Sequence, residues 1–335
     1  MNCFLTGSNG FIGRRLVEEL SAGGNKVKCL VRSPDKFRAL SSLPGVTPVV
    51  GDLDAVDALD EALPGCDTVF HLAAYAKPWS KDRSLPYRIN VAGTENVLKA
   101  ALKAGVRRFV FTSSAAVIGP SPGTDPIDES FPRTVPWFNE YEETKAVAGE
   151  LVRSYNRDGM ECVIVNPTRV YGPGPINESN SVTKMISLYA RGRWRIIPGD
   201  GKSVGNYVMV DDVVRGHILA SQKGRPGEQY ILGGENLTFD RFFETLATLT
   251  GRRLWLIRVP VSLMSAVAGV MEWQASFTGI PPLITPPWIK KYLCHWSLSS
   301  GKAEAELGYH PVSFADGART TLEWLGESIT SCFKG

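Results

Sequence analysis

The sequence predicts an α/β fold in which a doubly wound parallel sheet is followed by a smaller second domain. Through the first half of the chain, strand-like apolar runs alternate with segments of helical periodicity. The runs are rich in Val, Ile and Phe on both faces, which is typical of parallel strands covered by helices on both sides. After about residue 166, turn-rich stretches replace this alternation, so we expect an irregular second domain there.

Each predicted strand of the first domain is short and leads into a helix or a loop. In chain order the strands are CFL, KVKCLV, TPVV, DTVFHLAA, RFVFTSS and CVIVNP. Helical segments such as RRLVEELSAG and GTENVLKAALKAG repeat apolar residues three and four positions apart and end in a glycine suited to a left-handed cap. We therefore expect a first domain over residues 1–166, completed by about 206–233, and a second domain over 167–205 and 234–330.

The composition argues against several classes of protein. The chain has 335 residues, enough for two domains of roughly 150 residues each. Its 37 basic and 34 acidic side chains nearly balance and form no basic run, so nucleic acid is not expected as a partner. The six cysteines have neither metal-site nor disulfide-framework spacing, and the N-terminus lacks an export pattern. We expect free thiols, no metal and a cytoplasmic location.

The longest apolar segment, residues 259–271, lies between Arg258 and Glu272. It is shorter than the ~18 residues that a membrane span requires. Two interpretations remain. The segment is either a helix packed on a core or substrate pocket, or an interfacial helix that gives residues 259–277 a weak association with a membrane.

Three glycines near the start predict a phosphate-binding cradle. Gly7, Gly10 and Gly13 stand at a constant spacing of three, after the first strand and at the opening of the first helix. Gly7 would allow a tight turn, Gly10 a close approach of backbone N–H groups to a pyrophosphate, and Gly13 close packing of helix on strand. The positive helix N-terminus favours the phosphates, although such glycines also serve plain turns.

The ends of the second and third strands indicate which dinucleotide binds. Where a carboxylate would bind the ribose 2′-OH of NAD, this chain has Arg32, with Ser33 and Lys36 close by. A guanidinium suits the 2′-phosphate of NADP, so we expect NADP(H) rather than NAD. The alternative is a solvated surface arginine. After the third strand, Asp52 could accept from the adenine amino group and Leu53 could cover the ring.

The segment EYEETK carries the strongest chemical signal. Tyr141 and Lys145 are four residues apart and therefore share one helix face. A phenol with a reference pKa near 10 needs a nearby cation to exchange protons near neutrality, and Lys145 would supply it. Ser114 follows the fifth strand, where it could hold a substrate oxygen that gains negative charge. The alternative is an exposed Tyr–Lys pair on an ordinary helix.

Taken together, these motifs resemble the extended short-chain dehydrogenases/reductases. The matching elements, in family order over roughly residues 1–232, are TGSNGFIG, GDLD, HLAA, FTSSAAVIG, YEETK, NPTRVYGPG and YVMVDDVV. The resemblance implies a Rossmann fold, a small substrate domain, and a catalytic triad of Ser114, Tyr141 and Lys145. Further cofactor contacts that it implies are Asn9, Phe11, Ile12, Leu72, Ala73, Ala74, Asn90, Thr112, Pro167, Thr168 and Val170.

Departures from the family's motifs indicate which branch of the family this chain resembles. Members that act on nucleotide sugars usually carry an Arg–Asp pair where this chain has Gly205 and Asn206, and a tyrosine where it has Ile118. The segments VRSPDK and NPTRVYGPG look like those of the dihydroflavonol 4-reductase and 3β-hydroxysteroid dehydrogenase branch. That resemblance implies hydride transfer between NADP(H) and a bulky apolar ketone or alcohol. A nucleotide-sugar epimerase or dehydratase and a non-catalytic NADP sensor remain as alternatives.

Two further expectations concern the pocket and the assembly. Aromatic and other large residues of the second half should give the cleft an apolar lining, although each of them could equally belong to the core. They are Trp137, Phe138, Tyr171, Tyr189, Trp194, Tyr207, Met209, Trp255, Trp273 and Phe277. The family resemblance also implies a homodimer formed through a four-helix contact that includes the Tyr141 helix.

Overall fold

The computed structural model describes residues 1–77, 80, 82–156, 159–176, 180–278 and 285–326. The strands are β1 (Asn2–Thr6), β2 (Lys26–Val31), β3 (Val46–Val50), β4 (Thr68–His71), β5 (Arg108–Thr112), β6 (Glu161–Pro167), β7 (Arg169–Tyr171), β8 (Ile196–Pro198), β9 (Val204–Met209), β10 (Gln229–Leu232), β11 (Glu235–Thr238) and β12 (Ile257–Val259). The helices are α1 (Phe11–Ala22), α2 (Arg38–Ser41), α3 (Val56–Ala62), α4 (Ser84–Tyr87), α5 (Gly93–Lys103), α6 (Glu140–Ser154), α7 (Ser181–Ala190), α8 (Val210–Lys223), α9 (Phe239–Thr250), α10 (Val261–Thr278), α11 (Pro286–Leu293), α12 (Gly301–Leu307) and α13 (Phe314–Trp324).

Seven of these strands form the parallel sheet that the sequence predicted. Their order is β10-β6-β5-β4-β1-β2-β3, and each neighbouring pair is parallel. From β1 the chain builds the sheet outwards through β2 and β3, and then returns to add β4 on the other side of β1. The connections therefore diverge between β1 and β4, and in open α/β sheets ligands bind at such a switch point.

Helices cover both faces of the sheet, as predicted. On one face, α1, α8 and α12 bury apolar side chains against β1, β2 and β6. On the other face, α3, α5 and α6 pack against β4, β5 and β6. The apolar stripes of these helices explain the arrangement; in α1, for example, Leu16, Val17 and Leu20 lie on one buried face.

The remaining elements form a smaller region with its own core. It contains a three-stranded sheet, β11-β9-β7, and a two-stranded pair, β12-β8. Apolar residues of α7, α9 and α13 fill its core. The predicted domain boundaries stay a prediction. Ala303 and Leu307 of α12, in the segment assigned to the second domain, pack in the core of the large sheet.

Candidate active site

The three glycines near the start form a tight cradle at the carboxyl end of β1. Gly7 adopts a left-handed φ of +78°, and its carbonyl accepts a hydrogen bond of 2.9 Å from the Gly10 N–H. A Cβ atom on Gly13 would lie 2.1 Å from the Gly7 oxygen, and one on Gly7 would lie 2.7 Å from the Ala73 nitrogen. The wider three-three spacing therefore still brings the backbone of strand, loop and helix into close contact.

The N-terminus of α1 is open to a ligand. Its cap residue, Gly10, has no side chain to bond the first N–H groups, and the first turn contains no acidic residue. Asn9 is exposed beside it, whereas the Phe11 ring is buried against Gly174, where a Cβ would lie 2.7 Å from the ring. This end of the helix combines free donors with a positive dipole, which fits a pyrophosphate.

The predicted adenosine-binding residues follow the next strands along the same sheet edge. Arg32 comes directly after β2 and is exposed, with no ion-pair partner among the described residues. Asp52 follows β3 and is exposed, while Leu53 is buried against Gly93. Lys36 lies in the short 3-10 turn after Arg32, and its side chain is outside the described part of the structure.

The loop after β4 is held by a buried asparagine. The Oδ1 atom of Asn90 accepts from the Tyr75 N–H at 2.6 Å, and its Nδ2 donates to the Tyr75 carbonyl and to Thr144 Oγ1. Asn90 lies in a π-helical turn, Arg88–Ala92, between α4 and α5. Its amide thus joins Tyr75 to α6. Tyr75 directly follows the predicted cofactor residues Leu72, Ala73 and Ala74.

A neutral histidine fixes the same loop from the other side. Thr94 Oγ1 donates its only proton to the Asn90 carbonyl, so it must accept a hydrogen bond from His71 Nε2 at 2.9 Å. The Nδ1 atom of His71 is therefore unprotonated and accepts from Thr6 Oγ1 at 2.7 Å. Thr6 in turn accepts from the Ala73 N–H. Burial lowers the pKa of His71 to about 3, so the ring stays neutral and keeps this tautomer.

A second buried histidine holds the end of β5. His217 of α8 donates from Nδ1 to the Val213 carbonyl, so its Nε2 accepts from Thr112 Oγ1 at 2.8 Å. Burial lowers the pKa of His217 to about 4. The Thr112 hydroxyl, predicted to contact the cofactor, is therefore committed to His217 and anchors the strand that leads to Ser114.

The three predicted catalytic residues come together beyond the carboxyl end of β5. Ser114 caps the 3-10 turn Ala115–Val117, where its Oγ accepts from the Ala116 N–H. Tyr141 lies in the first turn of α6, where it forms a hydrogen bond with Ser114. Lys145 follows one helical turn later, as the i, i+4 spacing predicted.

Lys145 is buried without a polar partner. Its side chain is 1% exposed, and its Nζ lies 4.0 Å from the centre of the Phe111 ring. No described residue accepts a hydrogen bond from Nζ or forms an ion pair with it. Burial lowers the pKa of Lys145 to about 7. A buried ammonium with free donors fits the hydroxyl groups of a cofactor ribose.

The environment of Tyr141 differs from the expectation. The sequence predicted a phenol whose pKa is lowered by Lys145, but burial raises the pKa of Tyr141, with the neighbouring Glu142 carboxylate adding to the rise. The hydrogen bond with Ser114 opposes this rise. In the cofactor-free protein the phenol therefore keeps its proton at neutral pH, which suits a proton donor.

Sequence reasoning missed a buried charge cluster next to Tyr141. Glu142 is 0% exposed, and its Oε2 lies 2.8 Å from Arg133 Nη2, while its Oε1 lies 2.9 Å from Lys291 Nζ. The Phe138 N–H also donates to Oε2. The cluster ties α6 to α11 and to the loop before α6. No sequence spacing signals it, because Lys291 lies far away in sequence from Arg133 and Glu142.

Ser114 opens onto a small cavity of about 70 Å³ between the large sheet and the second region. Its lining includes Ala115, Pro167, Leu298 and Trp296, but also the charged Arg169 and Lys291. The pocket beside the serine is thus apolar on part of its wall and cationic on another part.

Arg169 occupies the space that a glycine leaves free. A Cβ on Gly205 would lie 2.5 Å from Arg169 Nη1. The guanidinium donates to the Tyr207 hydroxyl and lies 4.7 Å from the Tyr292 ring centre, and no described carboxylate pairs with it. Gly205 departs from the family pattern, but no sequence motif indicated Arg169 as a site residue.

Asn206 and Thr168 support this wall of the pocket. Asn206 Oδ1 accepts from Thr168 Oγ1 at 2.8 Å and from the Gly234 N–H. Its Nδ2 donates to the Gly234 and Leu298 carbonyls and to Asn236. The Thr168 hydroxyl is therefore committed to the protein, and the partly buried Val170 continues along β7.

Most of the aromatic residues predicted to face the cleft lie elsewhere. Tyr171, Tyr189, Tyr207 and Met209 belong to the core of the second region, where they pack among α7, α9 and α13, and Trp194 packs against that core. Trp255, Trp273 and Phe277 are exposed by 85%, 66% and 74%. Trp137 and Phe138 lie near the Arg133 guanidinium. None of these residues lines the pocket beside Ser114, and the alternative that they belong to the core holds for Tyr171, Tyr189, Tyr207 and Met209.

The described residues contain no cluster of His, Cys, Asp or Glu side chains that could hold a metal ion. The five cysteines within the described ranges are free thiols. Burial raises the pKa of Cys3, Cys29 and Cys162 to about 12, so these thiols stay protonated.

Comparison with known proteins gives consistent matches. A family described as the NAD dependent epimerase/dehydratase family matches residues 3–233. A Synechocystis sp. protein provisionally named a dihydroflavonol 4-reductase is 34% identical over 96% of this chain and 94% of its own. A 3-beta-hydroxysteroid dehydrogenase of Mycolicibacterium neoaurum is 30% identical over 92% of this chain and 86% of its own. The crystal structure of gox2253 matches with a TM-score of 0.80 and 32% identity, covering 97% of this chain and 98% of that chain.

Proposed function

This chain belongs to the NAD-dependent epimerase/dehydratase family of extended short-chain dehydrogenases/reductases, and we propose that it is an NADP(H)-dependent oxidoreductase that interconverts a ketone or aldehyde and a secondary alcohol. One observation carries the proposal. Ser114, Tyr141 and the buried Lys145, which has no polar partner among the described residues, lie together where the sheet edge meets the pocket. The relatives named a reductase and a hydroxysteroid dehydrogenase support the same reaction class.

In the reduction direction each member of the triad has one task. When bound, the reduced nicotinamide supplies a hydride to the carbonyl carbon. Tyr141 donates its proton to the carbonyl oxygen, and Ser114 holds that oxygen as negative charge develops on it. Lys145 donates to the ribose and, when charged, stabilises the phenolate that remains after proton transfer. Oxidation of the alcohol is the reverse of these steps.

We propose NADP(H) as the cofactor because Arg32 stands exposed after β2 and forms no ion pair with a described carboxylate. A guanidinium in that position would bond the 2′-phosphate, and its loss should cost on the order of 1.5–3 kcal/mol, or about tenfold or more in affinity. Titration with NADPH and NADH, followed by nucleotide fluorescence, tests this. Arg32→Asp should shift the preference towards NADH, whereas the distant exposed Arg241→Asp should not. Equal affinities in the wild type would contradict the proposal.

The substrate proposed is a bulky, largely apolar carbonyl compound. Ala115, Pro167, Trp296 and Leu298 give the pocket apolar surface next to Ser114. The test is to incubate the protein with NADPH and a panel of aromatic, steroidal and aliphatic ketones while following consumption of the reduced nicotinamide. Cofactor binding without turnover of any compound would favour the sensor alternative.

A second candidate function is supported by the cationic wall of the pocket. Arg169 and Lys291 both line it, and the one carboxylate of the cluster, Glu142, already pairs with two cations. Such a wall would suit a substrate with an anionic group, as in a nucleotide-sugar epimerase or dehydratase. Calorimetric titration with a nucleoside diphosphate sugar separates the two candidates. Binding that is lost in Arg169→Gln but kept in Arg258→Gln would favour the second.

A further inference from the structure

Helix α10 is an apolar helix that the described residues cover only along a narrow side. Over residues 259–278 the only charged side chain is Glu272. Two small residues, Ala268 and Ala275, face the protein and are fully buried. Large apolar side chains point outwards instead: Val261, Leu263, Val267, Val270, Trp273 and Phe277 are all exposed. Soluble monomers rarely expose a contiguous apolar surface of this kind.

The segment that leads into this helix is strongly basic. Strand β12 pairs with β8, and the Ile257 N–H donates to the Arg195 carbonyl, so residues 195–198 and 257–259 lie side by side. The Arg252 guanidinium lies near Gly192, just before β8. Residues 188–199 and 250–260 contain six arginines and no acidic residue. Four of them, Arg193, Arg195, Arg252 and Arg253, are exposed and have no ion pair with a described carboxylate. Trp255 stands exposed among them.

We propose that the outward side of α10, together with Trp255 and these four arginines, is a surface that lies on an anionic lipid bilayer. We call it the lipid-binding face. Its apolar side chains would enter the boundary of the acyl chains, and its tryptophans would lie at the headgroup level. The arginines would neutralise anionic headgroups, each contributing on the order of 1 kcal/mol, or about fivefold in binding.

The charge pattern favours lipid over a second copy of this chain. Two copies that docked through this face would bring together two sets of unpaired arginines with no acidic partners. Anionic headgroups would compensate that charge instead. Because only a narrow side of α10 is buried, most of its circumference is free to contact the apolar interior of a bilayer.

The contact would be peripheral. Among the described residues, no helix has the length and apolar character needed to cross a bilayer. The proposal does not depend on the enzymatic function, because it uses no residue of the pocket beside Ser114.

Vesicle flotation tests the lipid-binding face. The full chain is mixed with vesicles of phosphatidylcholine alone or of an equimolar mixture with phosphatidylglycerol. We expect flotation with the mixture, weaker flotation at high salt, and little with phosphatidylcholine alone. Leu263→Gln with Val270→Gln, and separately Arg252→Gln with Arg253→Gln, should each lower binding by about tenfold or more.

Matched controls make the result specific. Val50→Gln with Val56→Gln removes exposed apolar side chains elsewhere, and Arg38→Gln with Arg83→Gln removes exposed arginines elsewhere. Both controls should float like the wild type. Failure of the wild type to float, or equal losses in the controls, would overturn the proposal. A different result would also overturn it: the wild type is a dimer by light scattering, the α10 variant is a monomer, and neither protein binds vesicles.

Discussion

The Nζ atom of Lys291 lies 2.9 Å from Oε1 of Glu142, so a lysine of α11 pairs with the residue that directly follows the proposed proton donor. Arg133 approaches the other carboxylate oxygen from the loop before α6. The first turn of α6, which carries Tyr141, is therefore held from both sides by ionic contacts. The position of the phenol depends on elements far away in sequence.

Removal of this buried carboxylate should destabilise the protein. Glu142→Gln removes the carboxylate that pairs with Arg133 and Lys291, and breaking such a buried pair costs on the order of 3 kcal/mol. Urea unfolding measures the effect. Glu143→Gln, on the exposed side of the same helix, is the control and should change the free energy of unfolding by only about 0.5 kcal/mol or less. A similar effect of both substitutions would show that the pair contributes little.

Loss of the Tyr141 hydroxyl should abolish most turnover while preserving cofactor affinity. Tyr141→Phe keeps the ring and removes only the proton donor, so turnover should fall by roughly 10²–10⁴-fold. Ser114→Ala should cost about 10²-fold, as expected when one donor to a developing oxyanion is lost. Steady-state kinetics and nucleotide titration check both. Tyr155→Phe, just beyond the end of the same helix, should behave as the wild type. Near wild-type turnover in Tyr141→Phe would exclude the mechanism.

Lys145 should be essential for activity but costly for stability. The pKa of its ammonium falls from 10.5 to about 7 on burial, so below pH 10.5 the unfolded chain takes up a proton that the folded protein does not. Wild-type stability should therefore decrease as the pH falls from 10.5 towards 7. Lys145→Met has no ammonium to bury, so at pH 7 its free energy of unfolding should exceed that of the wild type by on the order of 1–3 kcal/mol. Its turnover and cofactor affinity should both fall.

Thermal unfolding of the cofactor-free proteins across this pH range measures the effect. The difference in melting temperature between Lys145→Met and the wild type should shrink as the pH rises towards 10.5. A difference that is constant with pH would mean that packing, rather than the buried charge, sets the stability change.

A side chain at Gly13 should damage the cradle. In Gly13→Ala the new Cβ would lie 2.1 Å from the Gly7 backbone oxygen, which cannot move aside without opening the loop. We expect a stability loss of about 1–3 kcal/mol and cofactor affinity reduced by about tenfold or more. Gly149→Ala is the control, since its Cβ would have no contact closer than 3.9 Å and alanine favours a helix. Calorimetric titration with NADPH compares the two.

The local spacing of residues determined much of the fold and of the candidate site. Gly7, Gly10 and Gly13 follow a strand and open a helix, and the geometry of a strand–loop–helix unit forces such residues to meet. Tyr141 and Lys145 share a helix face because the helix repeats every 3.6 residues. The alternation of apolar strands and helices likewise specified the parallel sheet, whose carboxyl edge collects the residues that follow β1 to β6.

Tertiary packing alone decided the rest. Lys291 meets Glu142 only because α11 returns over the start of α6. Arg169 enters the pocket only because Gly205 leaves room for it on the neighbouring strand. The amide of Asn90 holds Tyr75, a contact that the sequence did not indicate, and its expected contact with the cofactor stays a prediction. The sequence could not place the aromatic residues either, because a hydrophobic side chain looks the same in a core, in a pocket or on an exposed helix. Which of these it occupies depends on the elements that pack around it.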